Sequence, residues 1–123
     1  MKNDLNGAKV LVTGGTGMIG RYLVDKLLER NCKVTVASLD SPDGLPENVE
    51  FMRMDLTILD NCLKACAGQD YVFNLVGIKG SPKMCAEQPA DFMVPMLQFN
   101  TNMMEAAMRQ KVEWYLYTSS VGV

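Results

Sequence analysis

Short apolar runs alternate along this chain with segments whose apolar residues recur every three or four positions, and the alternation repeats over its whole length. The apolar run Val10, Leu11 and Val12 predicts a buried strand near 8–13. Residues 18–30, with Ile19, Leu23 and Leu27 on one face, predict a helix. A second strand is expected at 33–38 (KVTVAS), a Ser-Pro-Asp-Gly turn at 41–44, and a third, short strand at 49–54. Thr57 with Asp60 has the spacing of a capping box, opening a helix to about Ala65 that Gly68 ends. Residues 71–76 read as a fourth strand, apolar enough to be buried on both faces. The stretch 77–88, rich in Gly, Pro and Lys, reads as a loop. A long helix then runs to about Gln110, with Pro95 in its first turn or kinking it, and 112–118 forms the fifth strand. There is no internal repeat, linker or low-complexity segment. Strands alternating with helices imply a parallel sheet with right-handed crossovers, a doubly wound α/β domain.

In such a sheet a ligand sits beyond the carboxyl ends of the strands, where strand order reverses. The polar residues fall at those ends: the glycine loop after strand one, Ser38 and Asp40 after strand two, Asp55 after strand three, Asn74 to Gly77 at the end of strand four, and Ser119 and Ser120 after strand five. The loop itself, KVLVTGGTGMIG at 9–20, spaces Gly14, Gly17 and Gly20 three apart between strand and helix. Gly14 permits the sharp turn, Gly17 leaves room for a pyrophosphate at the main chain, and Gly20 lets the helix lie close to the strand. The amides of the first helical turn carry about half a positive charge for an anion to meet. Gly14, Thr16, Gly17, Met18 and Ile19 are therefore the expected dinucleotide contacts in this segment. The alternative is a plain tight turn, which the strand–loop–helix context disfavours.

Composition narrows the remaining classes. The 123 residues suffice for one domain that buries about two-thirds of its unfolded surface. A formal net charge of -2 gives no reason to expect nucleic acid or an acidic membrane surface as partner. No apolar run approaches bilayer length and the first residues lack a secretory pattern, so the expected location is cytoplasmic. Cys32, Cys62, Cys66 and Cys85 lack zinc-type spacing and there is no histidine, so they read as reduced core thiols and no metal is expected.

TGGTGMIG at 13–20, the Asp55-Leu56 pair, NLVG at 74–77 and YTSSVGV at 117–123 together resemble the extended short-chain dehydrogenase/reductase family of sugar-nucleotide epimerases, dehydratases and reductases, over essentially the whole chain. Within it, GIKGS at 77–81, PADF at 89–92 and NMMEAA at 102–107 are most similar to the GDP-L-fucose synthase branch, the GDP-4-keto-6-deoxymannose epimerase-reductases. The resemblance implies that 1–123 is a Rossmann-like NAD(P)-binding domain. It implies five strands in the order 3-2-1-4-5 with helices on both faces, as the N-terminal part of a longer enzyme that transfers hydride at a sugar carbon of a sugar-nucleotide substrate. Ser120, with Ser119 beside it, matches the catalytic hydroxyl that hydrogen-bonds the substrate oxygen. The family's Tyr-x-x-x-Lys would be expected some tens of residues beyond Val123. Tyr22 and Lys26 share that spacing but sit in the helix after the glycine loop, where a partly buried tyrosine and a solvated lysine account for them.

Several positions carry two readings. Asp55 accepts from the adenine amino group, with Leu56 flanking the ring, or else prepares the Thr57 cap. Asn74, Val76 and Gly77 lie beneath the nicotinamide ribose, or simply end a strand. At the end of strand two, NAD-binding relatives carry an acid where this chain has Ser38, and many NADP-binding ones an arginine where it has Leu39. The missing acid tilts the expectation slightly toward NADP, while Asp40 swinging in would favour NAD. Met96 stands where the family has a helix asparagine, leaving Asn100 one turn on as a substitute or as a plain surface amide. Lys79 and Lys83 read as solvated loop lysines. Met93, Met96, Met103, Met104 and Met108 give the long helix an apolar surface, much of it core and part of it a possible homodimer face within 91–110. The alternative to the enzyme reading is a non-catalytic dinucleotide-binding module with regulatory or interaction duties.

Overall fold

The computed structural model describes residues 4–78 and 81–119. Its elements run β1 (Lys9–Thr13), α1 (Met18–Glu29), β2 (Lys33–Ser38), β3 (Glu50–Arg53), α2 (Leu59–Cys66), β4 (Tyr71–Asn74), α3 (Pro82–Glu87), α4 (Pro89–Arg109) and β5 (Trp114–Tyr117). The strands form one parallel sheet in the order β3-β2-β1-β4-β5, with Val12 at its centre registered against Val36 and Phe73. This is the expected Rossmann-like arrangement, and β1–β4 is where strand order reverses.

Alternation along each strand divides the core into two layers. On one face Val10, Val12, Val34, Val36 and Tyr71 pack under Val24 and Leu27 of α1. On the other, Leu11, Ala37 and Val72 pack under Cys62, Ala65 and Cys66 of α2 and Phe99, Met103, Ala106 and Ala107 of α4. Two helices end alike: Asn31 (φ 60) after α1 and Lys111 (φ 57) after α4 are left-handed, letting Cys32 N reach Leu27 O at 3.1 Å and Val112 N reach Ala107 O at 3.0 Å. Each turn delivers the chain directly to the next strand. Among the described residues, no helix is long and apolar enough to cross a membrane.

The structure corrects several sequence expectations. The buried face of α1 is Gly20, Val24 and Leu27, and Ile19 is 67% exposed in the first turn. Thr57 does not cap α2, which starts two residues later; its amide and hydroxyl both donate to Asp55 Oδ1, at 2.9 and 2.6 Å. Residues 82–87, read as loop, form α3, with Ser81 Oγ accepting from Met84 N and Pro82 opening the helix. Pro89 opens α4, and Pro95 lies in its interior. Of the α4 methionines only Met103 is core; Met93, Met96, Met104 and Met108 are exposed. Cys85 is also exposed, whereas Cys32, Cys62 and Cys66 are buried free thiols. Burial pushes the Cys62 thiol up to about 11 and the Cys66 thiol up to about 12.

Candidate functional site

Beyond the carboxyl edge of the sheet lies a cavity of about 760 Å³, walled by the glycine loop and by the chain leaving β2, β3 and β4, with Pro95, Gln98 and Phe99 of α4 closing one side. Gly14 has φ +68, and a Cβ there would stand 2.8 Å from the Leu75 carbonyl oxygen, so the residue serves both the turn and the contact between glycine loop and β4. A Cβ on Gly20 would collide with the Gly14 carbonyl oxygen, which explains how closely α1 approaches the loop. Gly17 differs: a Cβ would meet only the Gly14 oxygen, at 3.4 Å. It is also the N-cap of α1, and neither a side-chain cap nor an acidic residue covers that helix end. A helix N-terminus at a cavity wall without a carboxylate of its own suits an anion.

The end of β2 is tied to the loop by hydroxyls. The Asp40 carboxylate accepts from Thr16 Oγ1 at 3.2 Å, and Ser38 Oγ accepts from Asp40 N at 3.0 Å. Ser38 therefore donates to Thr16 Oγ1, 3.2 Å away, closing a ring of three residues. Ser38 is 6% exposed and its hydroxyl is engaged in that ring. Arg21 clamps the loop from outside, donating from Nε to the Thr16 carbonyl at 2.7 Å and from Nη2 to the Asp43 carbonyl at 2.8 Å. Arg53 Nη2 lies 3.4 Å from the Asp40 carbonyl oxygen. Asp55 lines the cavity with one carboxylate oxygen held by Thr57, and Leu56 beside it is buried.

A second polar cluster lies under the other end. Thr13 Oγ1 accepts from Leu75 N at 3.1 Å and Val76 N at 3.3 Å, so its proton goes to Asn74 Oδ1 at 2.6 Å. Capture of these two amides is why β4 ends at Asn74, two residues before the apolar run does. The same bond orients the Asn74 amide, sending Nδ2 to Asn100 Oδ1 at 3.0 Å and to the Tyr115 hydroxyl at 2.9 Å. Burial raises the Tyr115 hydroxyl above its usual value, against the lowering effect of the Asn74 bond. Asn100 donates in turn to the Met96 carbonyl at 2.8 Å.

Of the expected contacts, Gly14, Thr16, Gly17, Ser38, Asp55, Leu56, Val76 and Gly77 line the cavity. Met18, Ile19, Asn74, Asn100 and Ser119 do not. Asn74 and Asn100 act from beneath, as supports, and Ser119 is exposed after β5. Ser120 lies outside the described residues. Sequence reasoning missed Thr13 and Tyr115, because a threonine in a Val-rich strand and a tyrosine in an aromatic one pass for ordinary strand residues. Tyr22 and Lys26 lie on α1 with the ammonium 5.3 Å from the ring centroid, and the Glu29 carboxylate, then the tyrosine, raise the lysine pKa.

Comparison with known proteins agrees with this architecture. The sequence profile of the NAD dependent epimerase/dehydratase family matches residues 10–123. The chain belongs to that family. It is 29% identical over 115 residues to GDP-mannose 3,5-epimerase 1 of Oryza sativa subsp. japonica, covering 91% of this chain and 30% of that protein. It is 32% identical over 121 residues to a 3 beta-hydroxysteroid dehydrogenase/Delta 5-->4-isomerase of Mycobacterium tuberculosis (strain CDC 1551 / Oshkosh), covering 94% of this chain and 32% of that protein. Among solved structures, MoeE5 in complex with UDP-glucose and NAD superposes with a TM-score of 0.82 at 27% identity, over 94% of this chain and 38% of that one. The chain thus spans about a third of the length of the relatives it matches.

Proposed function

We propose that this chain is the dinucleotide-binding part of an enzyme acting on a nucleotide sugar, and that its cofactor is NAD. The observation that carries the reading is the cavity of about 760 Å³ against the uncapped N-terminus of α1, at the strand-order reversal. Gly14, Thr16 and Gly17 would receive the pyrophosphate, Asp55 and Leu56 the adenine, and Val76 and Gly77 the nicotinamide ribose. Bound there, the dinucleotide would supply hydride transfer at a sugar carbon. Ser120 is the hydroxyl we assign to the substrate oxygen, with Ser119 beside it. GDP-4-keto-6-deoxymannose is the substrate suggested by residues 77–81 and 89–92; the nucleotide-sugar class is the broader proposal, supported by the relatives named above.

Against the slight lean toward NADP drawn from Ser38, we weigh the position of Asp40 as favouring NAD. Its carboxylate is held at the glycine loop by Thr16, where it would accept from a ribose 2′-hydroxyl and repel a 2′-phosphate. Arg21 is occupied by two carbonyls, leaving Arg53, among the described arginines beside Asp40, as the cation a 2′-phosphate would need. Titration of the chain with NADH and NADPH, read by nicotinamide fluorescence, tests both claims. NADH is expected to bind at least about tenfold more tightly, and Asp40→Ala to narrow that gap by about tenfold, the worth of one charged hydrogen bond. Preference for NADPH would overturn the cofactor assignment. Binding of neither would overturn the dinucleotide reading itself.

A further inference from the structure

Arg21 does not line the cavity, yet it joins the two segments that flank Asp40, the glycine loop and the connection from β2 to β3. Side chains on a helix lean toward its N-terminus. Arg21, in the first turn of α1, therefore reaches back over the helix start, where Nε donates to the carbonyl of Thr16, the residue before the N-cap Gly17.

The other arm of the guanidinium meets a turn. Leu45 N donates to Pro42 O at 3.0 Å, closing a loop whose two central residues are Asp43 and Gly44, the second left-handed at φ +84. The Asp43 carbonyl accepts from Nη2 at 2.8 Å. Nη1 lies against Gly44, where a Cβ would stand 2.5 Å from it. Gly44 thus serves the left-handed turn and also leaves the guanidinium room to lie flat on it. A planar fork fixes the spacing of two acceptors, which the single nitrogen of a lysine does not.

Between the two clamped segments lies the anchor of Asp40. Thr16, held through its carbonyl by Arg21, donates its hydroxyl to the Asp40 carboxylate at 3.2 Å, and Asp40 N donates to Ser38 Oγ at 3.0 Å. A shift of Thr16 carries that hydroxyl with it. We propose that Arg21 is a positioning residue for cofactor selection: by fixing Thr16 against the 42–45 turn, it sets the angle at which Asp40 meets the ribose of the dinucleotide. The inference rests on Asp40 as the reader of the 2′-hydroxyl and adds the residue that aims it.

The test compares the Kd for NADH and for NADPH, by nicotinamide fluorescence at constant ionic strength, in the parent chain and its variants. Arg21→Met should narrow the preference for NADH by about threefold, less than Asp40→Ala does, because the carboxylate stays at the cleft and loses only its fixed angle. Arg21→Lys keeps the charge without the fork and should narrow it equally. Gly44→Asn tolerates the left-handed turn but pushes the guanidinium aside, so it should act in the same direction. Adding Arg21→Met to Asp40→Ala should change the ratio no further, since both act on one carboxylate. A merely structural role lowers both affinities alike, and an unchanged ratio in Arg21→Met would overturn the proposal. So would full rescue by lysine, further narrowing in the double variant, or a wider preference for NADH, the mark of a cation lost from a 2′-phosphate site. A parent chain that prefers NADPH would overturn the reading of Asp40 and this proposal with it, whereas a parent that prefers NADH with unresponsive variants would overturn the role of Arg21 alone.

Discussion

Replacing Thr13 with valine preserves the shape of the side chain and removes one hydroxyl. That hydroxyl receives Leu75 N and Val76 N and donates to Asn74 Oδ1 at 2.6 Å. Leu75 N keeps a second acceptor, the Thr13 carbonyl at 3.2 Å, so the groups stranded are Val76 N and Asn74 Oδ1. Asn74 is 1% exposed and water does not replace the lost donor, whereas Val76 is partly exposed at the cavity wall. A buried polar group left unpaired costs about 1–3 kcal/mol, so the pair should cost about 2–4 kcal/mol. With an unfolding entropy of about 2.1 cal/mol/K per residue, that lowers the Tm of this 123-residue chain by about 8–15 °C. Thr13→Ser keeps the hydroxyl, loses a methyl group and should cost about 1 kcal/mol. Thermal and urea unfolding of the two variants, followed by circular dichroism, provides the comparison. A valine variant that melts no lower than the serine variant would refute the argument. Adding Tyr115→Phe should give losses that do not sum, because both changes act on one amide.

Gly14→Ala should destabilise the chain by about 2–4 kcal/mol, from the left-handed backbone and the Leu75 carbonyl together, and should abolish NADH binding; a variant as stable as the parent contradicts this. Alkaline pH should destabilise the fold through Cys62 and Cys66. Both thiols are protonated in the fold up to about 11 and 12, whereas the unfolded chain releases those protons near the ordinary value of 9.0. Stability is therefore retained below pH 9 and lost as pH rises toward the folded values, with a slope of up to about 1.4 kcal/mol per pH unit for each thiol. Urea midpoints between about pH 8 and 10.5 that stay flat would count against it. The exposed α4 stripe of Met93, Leu97, Met104 and Met108 is the face to test for association with a second copy. Leu97→Asp should shift a dimer to monomer in sedimentation, and a parent chain that is monomeric at high concentration would exclude that face.

The strands were legible because each holds a short apolar stretch set between helical or turn signals. Residues 33–38 were bounded as observed, and the order 3-2-1-4-5 followed from the family resemblance. What periodicity missed was phase and competition. Ile19 shares a helical face with Leu23 on paper, but Gly20 must face the loop for α1 to pack, and that rotates Ile19 outward. Thr57 has the residue type of a cap, yet its amide and hydroxyl turn back to the Asp55 carboxylate and the helix opens after Ile58. Helix α3 carried its own start signature in Ser81-Pro82, obscured by glycine and lysine on either side. In the candidate site, the glycine loop was readable because its chemistry is local. Asn74 was readable as a position, but its partners Thr13 and Tyr115 lie on other strands, and no sequence motif pairs either of them with it.

The sequence distances in the Asn74 cluster bear on how the domain is made. Thr13 and Asn74 are 61 residues apart, and Asn74 and Tyr115 a further 41. The central strand β1 thus waits for its second neighbour until β4, 61 residues on at Asn74, has been synthesised, and the amide beneath the cleft acquires the Tyr115 acceptor only with β5. Such contacts pay their loop-closure entropy before they return any stability, which places this chain toward the slow side of mixed α/β folders. The glycine loop can turn early, but its rigid backing waits for β4 and β5.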